Sequence, residues 1–297
     1  MSLQSLQSIL TRAAKEKWAV PHFNVSDFEQ FRGVCEAAAR LRAPIMVGTS
    51  EGERDFLGLP ESVALVKAFR DQLHLPIFLN ADHTKSVRAA KKAINAGYDS
   101  VHIDLSRENW SKNLAGTREV ARYAREKCKI KNVKCKISVE GELGYIVTES
   151  SKVYKKKIVV DPSTFTKPDE AKKFVRLTGI DRFAPAVGNL HGIAANRPRL
   201  DFDLIKKLRA AIPMRVALVL HGGSGIRPAD FKRAIKCGIN NIHISTELRI
   251  AYVKSEHASL HRQKNELAPY KIAAPVVEAV RKKAEYFIKL FSAAGKV

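Results

Sequence analysis

Short runs of β-branched and apolar residues recur along the chain, each followed by a longer stretch rich in Ala, Lys, Glu and Leu. The short runs are Ala19–Val25, Pro44–Thr49, Pro76–Asn80, Ser100–Asp104, Lys136–Glu140, Phe183–Val187, Val216–Leu220 and Asn241–Ser245. Their near-continuous apolar character suits strands buried on both faces of a parallel sheet. The stretches between them favour helix. They include Phe28–Arg40, Pro60–Gln72, Ser86–Ala96, Trp110–Lys127, Lys167–Thr178, Leu204–Ile212 and Pro228–Cys237. Gly97, Gly179 and Gly238 stand directly behind three of these stretches, where a left-handed cap ends a helix. Eight strands alternating with helices predict an α/β protein of the (β/α)8, or TIM-barrel, architecture.

With 297 residues and 45% apolar content the chain can bury one large core. No Pro/Gly/Ser-rich linker breaks the rhythm, so one barrel domain is expected over residues 1–297. Its C-terminal tail from Pro269 reads as a turn plus one helix, packed on the outside or on a partner subunit. Met1–Trp18 reads as an amphipathic helix with Leu3, Leu6, Ile9, Leu10 and Ala13 on one side. No apolar run is long enough to span a bilayer. Cys35, Cys128, Cys135 and Cys237 match no compact zinc motif and are expected as reduced thiols of a cytoplasmic protein. The net charge of +22, densest between Arg122 and Lys157, is either a solvated lysine-rich surface or a device that draws in anionic substrates. Without an RNA-binding aromatic motif or a zinc finger, dedicated nucleic-acid binding is not expected.

Three histidines stand behind strand-like runs: His83 after Pro76–Asp82, His191 after Phe183–Asn189, and His221 after Val216–Leu220. A parallel barrel gathers its strand ends at one mouth, where three neutral imidazoles can hold Zn²⁺ and leave a coordination position open. Asp82, beside His83, can exchange a proton with a developing alkoxide. Its plainer role is to cap the next helix, since Thr84-Lys85-Ser86 follow. Asp104 closes strand four and Glu142 follows strand five. They are partners of the ligands, ligands at an alternative metal position, or surface carboxylates.

Gly192 follows His191, and Gly222-Gly223-Ser224-Gly225 follow His221 and lead into a helix near Pro228. Amides exposed ahead of a helix form a phosphate cradle, although the same run also makes a plain turn. After strand seven of a barrel, phosphate is the expected use. His243, Ser245 and Thr246 end strand eight, where the hydroxyls offer a second phosphate contact, joined by Ser50 behind strand two. An imine mechanism would need a lysine late in an inward-facing strand. None falls inside strands six to eight, and Lys136 opens strand five at the wrong end.

Six segments occur in order: Pro21-His22-Phe23-Asn24-Val25, Asn80-Ala81-Asp82-His83, His102-Ile103-Asp104-Leu105-Ser106, Glu140-Gly141-Glu142-Leu143-Gly144, Val187-Gly188-Asn189-Leu190-His191-Gly192 and Leu220-His221-Gly222-Gly223-Ser224-Gly225. With them, nearly the whole chain resembles the class II, zinc-dependent ketose-bisphosphate aldolases. The resemblance implies that His83, His191 and His221 bind the catalytic metal, and that Asp104 and Glu142 serve a second or resting position. It implies that Asp82 exchanges a proton with the C4 oxygen. Gly192, Gly222, Gly223, Ser224 and the segment His243, Ser245 and Thr246 would hold the dihydroxyacetone phosphate end, supported by Asn24 and Ser50. It further implies a phosphorylated sugar substrate, Zn²⁺ or another divalent cofactor with a monovalent cation beside it, and a homodimer or homotetramer.

Two positions depart from the family pattern. The loop Tyr145-Ile146-Val147-Thr148-Glu149-Ser150-Ser151 lacks the usual Gly-Gly pair, and Glu149 sits one place earlier than the glutamate that moves the C3 proton. His243 stands where the family has an Asn that steadies the enediolate. The expected reaction is reversible cleavage of a ketose 1,6-bisphosphate, with fructose preferred to tagatose. The altered loop and His243 keep a barrel with another phosphorylated substrate in view, and the charge keeps a basic RNA-associated barrel.

Overall fold

The computed structural model describes residues 4–130, 137–146, 152–196 and 199–297. Eight parallel strands close into a barrel in chain order. They are β1 (Val20–Asn24), β2 (Ile45–Thr49), β3 (Ile77–Thr84), β4 (Ser100–Ile103), β5 (Ser138–Leu143), β6 (Arg182–Pro185), β7 (Ala217–Leu220) and β8 (Ile239–Ile244). The helices outside are α1 (Leu6–Glu16), α2 (Phe28–Leu41), α3 (Glu51–Leu57), α4 (Leu59–Leu73), α5 (Val87–Ala96), α6 (Trp110–Ile130), α7 (Pro168–Thr178), α8 (Phe202–Ala211), α9 (Pro228–Cys237), α10 (Thr246–Arg262) and α11 (Pro269–Leu290). The tail is one continuous helix from Pro269, without a leading turn, and it packs on α2 and α10. No described helix is long and apolar enough to cross a membrane.

Local chemistry explains the element ends. Asp27 and Ser86 cap α2 and α5 through Gln30 N and Ala89 N, at 2.8 and 3.1 Å. Gly97 and Gly179 take left-handed conformations behind α5 and α7, as the sequence predicts. Since Ser86 caps α5, the capping alternative for Asp82 falls away. Two helices were not anticipated, α3 and α10. Ser50 opens α3, and its N–H donates to Glu53 Oε2 at 2.6 Å.

Closure staggers the strands. One ladder of paired residues runs Asn24, Gly48, Asn80, Ser100, Ser138, from the last residue of β1 to the first of β5. That climb is what a tilted barrel requires. The apolar core lies between strands and helices, with Phe31, Phe174, Phe183, Phe231 and Phe287 fully buried. The barrel's interior is polar instead. Arg182 is wholly buried there and donates to Ser138 Oγ (3.2 Å), Asn241 Oδ1 (3.2 Å), Asn80 Oδ1 (2.8 Å) and Ser100 Oγ. It also pairs with Glu140 at 2.5 Å. Its acceptors are thus spread over four strands, which offsets the cost of burying a guanidinium.

Candidate active site

The strand ends bring the predicted histidines together. Ring centroids of His83 and His221 lie 4.6 Å apart, His83 and His191 4.9 Å, and His191 and His221 6.1 Å. His83 is not beyond β3, as the pattern suggests, but within it. The ladder to β4 shifts register between Ala81 and Thr84, and His83 has φ +41°. Such a bulge re-aims one side chain while the strand continues, and a non-glycine residue held there is backbone strain placed at a site.

Carboxylates orient two of these rings. His83 Nδ1 is 2.8 Å from Asp104 Oδ2, and His221 Nε2 is 2.6 Å from Glu140 Oε1. A carboxylate on one ring nitrogen fixes the orientation of its imidazole, the usual support of a metal-binding histidine. Burial, then His83, pushes His191 down to about 3, and burial with His243 holds His221 well below the usual imidazole range. Both are neutral, as ligands must be. Burial opposes protonation of His83, but Asp82 and Asp104 outweigh it and hold the ring up to about 9. His102 is raised in the same way by Glu140 and Asp82 against its burial. The carboxylates therefore draw positive charge into the cluster, a demand a divalent ion would meet.

Asp82 is buried, and its Oδ2 accepts from Asn24 Nδ2 at 3.0 Å. Its Oδ1 makes no hydrogen bond and faces His102 Nδ1 at 3.6 Å and His243 Nδ1 at 3.4 Å. Burial would raise this acid, but His83, His102 and His243 hold it well below the usual carboxylate range. Glu142 goes the other way, since burial and Asp104 both raise it. Asp104 and Glu142 are not surface carboxylates: they share a cavity of about 450 Å³ with His83, His191 and Ser50.

A narrower recess adjoins that cavity. It is lined by Asn24, Ser50, Gly192, Gly222, Gly223, Ser224, His243, Ser245 and Thr246, together with Asp82 and the three histidines. Gly222 has φ +63°, and a Cβ there would lie 1.9 Å from Leu190 O, so only glycine fits. The cradle offers fewer amides than four successive residues suggest. Gly223 N donates to His243 O (3.2 Å) and Gly225 N to Glu247 Oε1 (3.1 Å). Ser245 Oγ and both His243 nitrogens are buried without a hydrogen-bond partner. The His243 ring stacks on His22 at 3.5 Å and 6°. Glu149 and Lys136 lie outside the described residues.

Five participants were missed in the sequence: His22, His102, Glu140, Arg182 and Arg249. Three carried a signal. His22, His102 and Glu140 each stand two residues before a singled-out polar residue, on the same side of a strand as Asn24, Asp104 and Glu142. His102 Nε2 lies 3.4 Å from Glu142 Oε2, and His83, His102, Asp104 and Glu142 offer donor atoms all within 4.8 Å of one another. Asp82, His83, His102 and His221 form a second such set. Buried, largely oxygen and imidazole donors with carboxylate support fit a divalent metal.

Known proteins resemble this chain over its whole length. The family described as fructose-bisphosphate aldolase class-II matches residues 4–296. A fructose-bisphosphate aldolase from Geobacillus stearothermophilus is 32% identical over 301 residues, covering 100% of this chain and 99% of that protein. One from Staphylococcus aureus strain Mu50 is also 32% identical, over 299 residues with the same coverage. Among solved structures, the YdjI aldolase of Escherichia coli K12 matches with TM-score 0.82 at 29% identity, covering 99% of both chains. The chain belongs to the class II fructose-bisphosphate aldolase family.

Proposed function

We propose that this aldolase reversibly cleaves fructose 1,6-bisphosphate to dihydroxyacetone phosphate and glyceraldehyde 3-phosphate, with Zn²⁺ held by His83, His191 and His221. The observation that carries the reading is the convergence of those three rings beside a recess lined by Gly192, Gly222 and Ser224. Asp104 and Glu142 offer a second position, with His102 beside them. A divalent ion here, when bound, supplies Lewis-acid stabilisation, worth several kcal/mol, of the charge that develops on the C2 and C3 oxygens.

The chain's own residues do the rest. The recess anchors one phosphate, so binding energy remote from the reacting carbons orients the C3–C4 bond. Asp82, held ionised, takes the C4 hydroxyl proton through its unpartnered Oδ1 as that bond breaks and the C4 carbonyl forms. Asn24 fixes the other carboxylate oxygen. Glu149 returns a proton to C3. In the reverse direction each transfer runs backward. We further infer a homodimer or homotetramer of cytoplasmic location, with light scattering as the check on assembly.

The test is aldol cleavage of fructose and tagatose 1,6-bisphosphates with and without a chelator. Fructose 1,6-bisphosphate should turn over, the chelator should abolish turnover, and His191→Ala should be inactive. Activity indifferent to chelator, or full activity in the variant, refutes the metal assignment. Cleavage of tagatose alone moves the substrate and leaves the site.

A further inference from the structure

Beside Asp82 lies a stacked histidine pair. His22 of β1 and His243 of β8 are partners in the strand ladder, and both are buried. Their ring centroids are 3.5 Å apart and the rings almost parallel, at 6°. His243 also meets the His221 ring, at 4.1 Å and 51°. Neither nitrogen of His243 has a hydrogen-bond partner, so contact with other rings, not a bond, sets the turn of this imidazole. Such a terminal torsion is soft by itself. Its direction matters, because His243 Nδ1 faces the unpartnered Oδ1 of Asp82 at 3.4 Å.

His22 is held firmly by contrast. Its Nε2 accepts from Asn80 Nδ2 at 3.0 Å. The Asn80 amide cannot be turned round, since its Oδ1 takes Arg182 Nη2 at 2.8 Å and Ser100 Oγ at 2.7 Å, and a guanidinium only donates. Burial, then His243, keeps the His22 ring neutral, so its hydrogen sits on Nδ1. A nitrogen that keeps its hydrogen ligates no metal. His22, Asp82 and His243 hold donor atoms within 4.8 Å of one another, yet this tautomer makes them a stack rather than a further ion site. Gly48 of β2 completes the seat. A Cβ there would lie 2.0 Å from His22 Cε1, so the ring occupies the space a side chain at 48 would need.

Resting on the aldolase reading, we propose that His22 is a positioning residue for Asp82, acting through the His243 ring. The connection runs from Arg182 through Asn80 to His22, and across the stack to His243 and the proton acceptor. His22 touches no reacting atom. The same bonds break and the same proton passes to Asp82; His22 supplies a fixed flat face. A side chain that only fills the barrel could be exchanged for another of similar volume, whereas this one can be exchanged only for another ring.

Two replacements separate the face from the hydrogen bond. His22→Phe keeps a flat ring and gives Asn80 no acceptor. His22→Gln keeps an acceptor and has no ring. In steady-state cleavage of fructose 1,6-bisphosphate, His22→Gln should lose about tenfold or more in kcat, as a small misplacement of a catalytic group does, with KM within about twofold. His22→Phe should keep kcat within about threefold of wild type, although its Tm falls because the Asn80 amide is orphaned. Elemental analysis should find the wild-type metal content in both. A kcat near wild type in His22→Gln, equal losses in the two variants, a kcat that follows Tm, or metal lost from His22→Gln overturns the proposal. The second measurement needs no turnover. In NMR of the metal-loaded, histidine-labelled protein, with the His243 signal assigned by its loss in His243→Asn, the His243 ring protons should lose their upfield ring-current shift in His22→Gln and keep it in His22→Phe. A His243 signal unmoved in His22→Gln overturns the proposal by itself. If wild type cleaves no sugar bisphosphate, the aldolase reading fails, while this spectrum still decides whether His22 holds His243.

Discussion

Glu140 lies behind His221, and its replacement should loosen the metal. Its Oε1 accepts from His221 Nε2 at 2.6 Å, and its Oε2 pairs with Arg182 at 2.5 Å. Burial would raise this acid, but Arg182, His102 and His221 hold it ionised. Glu140→Gln keeps the volume and removes the charge. An amide has one oxygen and one donor group, so it cannot accept from both neighbours. If the oxygen serves His221, the NH2 confronts the guanidinium; if it turns, His221 loses the acceptor that fixes its tautomer. Partners of this kind are worth 10–100-fold in metal affinity, about 1.4–2.7 kcal/mol.

Stability should fall as well. Breaking a buried pair costs about 3–5 kcal/mol, and the lower end applies here because four neutral acceptors still surround Arg182. At roughly 2 °C per kcal/mol for a chain of this size, Tm drops by about 6 °C. Competition for Zn²⁺ against a chromophoric chelator measures the first effect, and calorimetry of the metal-free protein the second. A zinc affinity within twofold of wild type, in a variant whose Tm falls, would refute the orienting role and leave Glu140 as counter-charge alone.

Asp82→Asn should lower kcat by about 10²–10⁴, the usual range for a positioned proton acceptor, while bound zinc stays as in wild type by elemental analysis. Gly222→Ala should destabilise by roughly 2–5 kcal/mol in calorimetry, combining left-handed strain with overpacking against Leu190 O. Glu149→Gln should slow solvent proton exchange at C3 of dihydroxyacetone phosphate by about 10²-fold or more, followed by NMR, with zinc and phosphate binding intact. Exchange at the wild-type rate would assign that proton to another residue.

The barrel was legible because burial on both faces leaves apolar runs, and because glycine marks where helices stop. His83, His191 and His221 were legible because each stands at the end of such a run. Three of the residues that escaped share a physical cause. His102, Glu140 and Arg182 alternate along their strands with apolar residues such as Val101, Ile103, Val139 and Phe183, so a hydropathy pattern absorbs them. Their meeting depends on stagger: Arg182 opens β6 yet lies level with Glu140, the third residue of β5, and reaches Asn241 across the barrel. Stagger is a property of closure, not of any one strand, and no local window contains it. Arg249 escaped for another reason. α10 has little one-sided apolar character, so neither the helix nor its first-turn arginine stood out. The bulge at His83 belongs to the same class, since one residue's turn to positive φ decides whether its ring meets the other two. Chemistry-bearing residue types can thus be read from order along the chain, while the shell that sets their charge and direction follows from the register that closes the barrel.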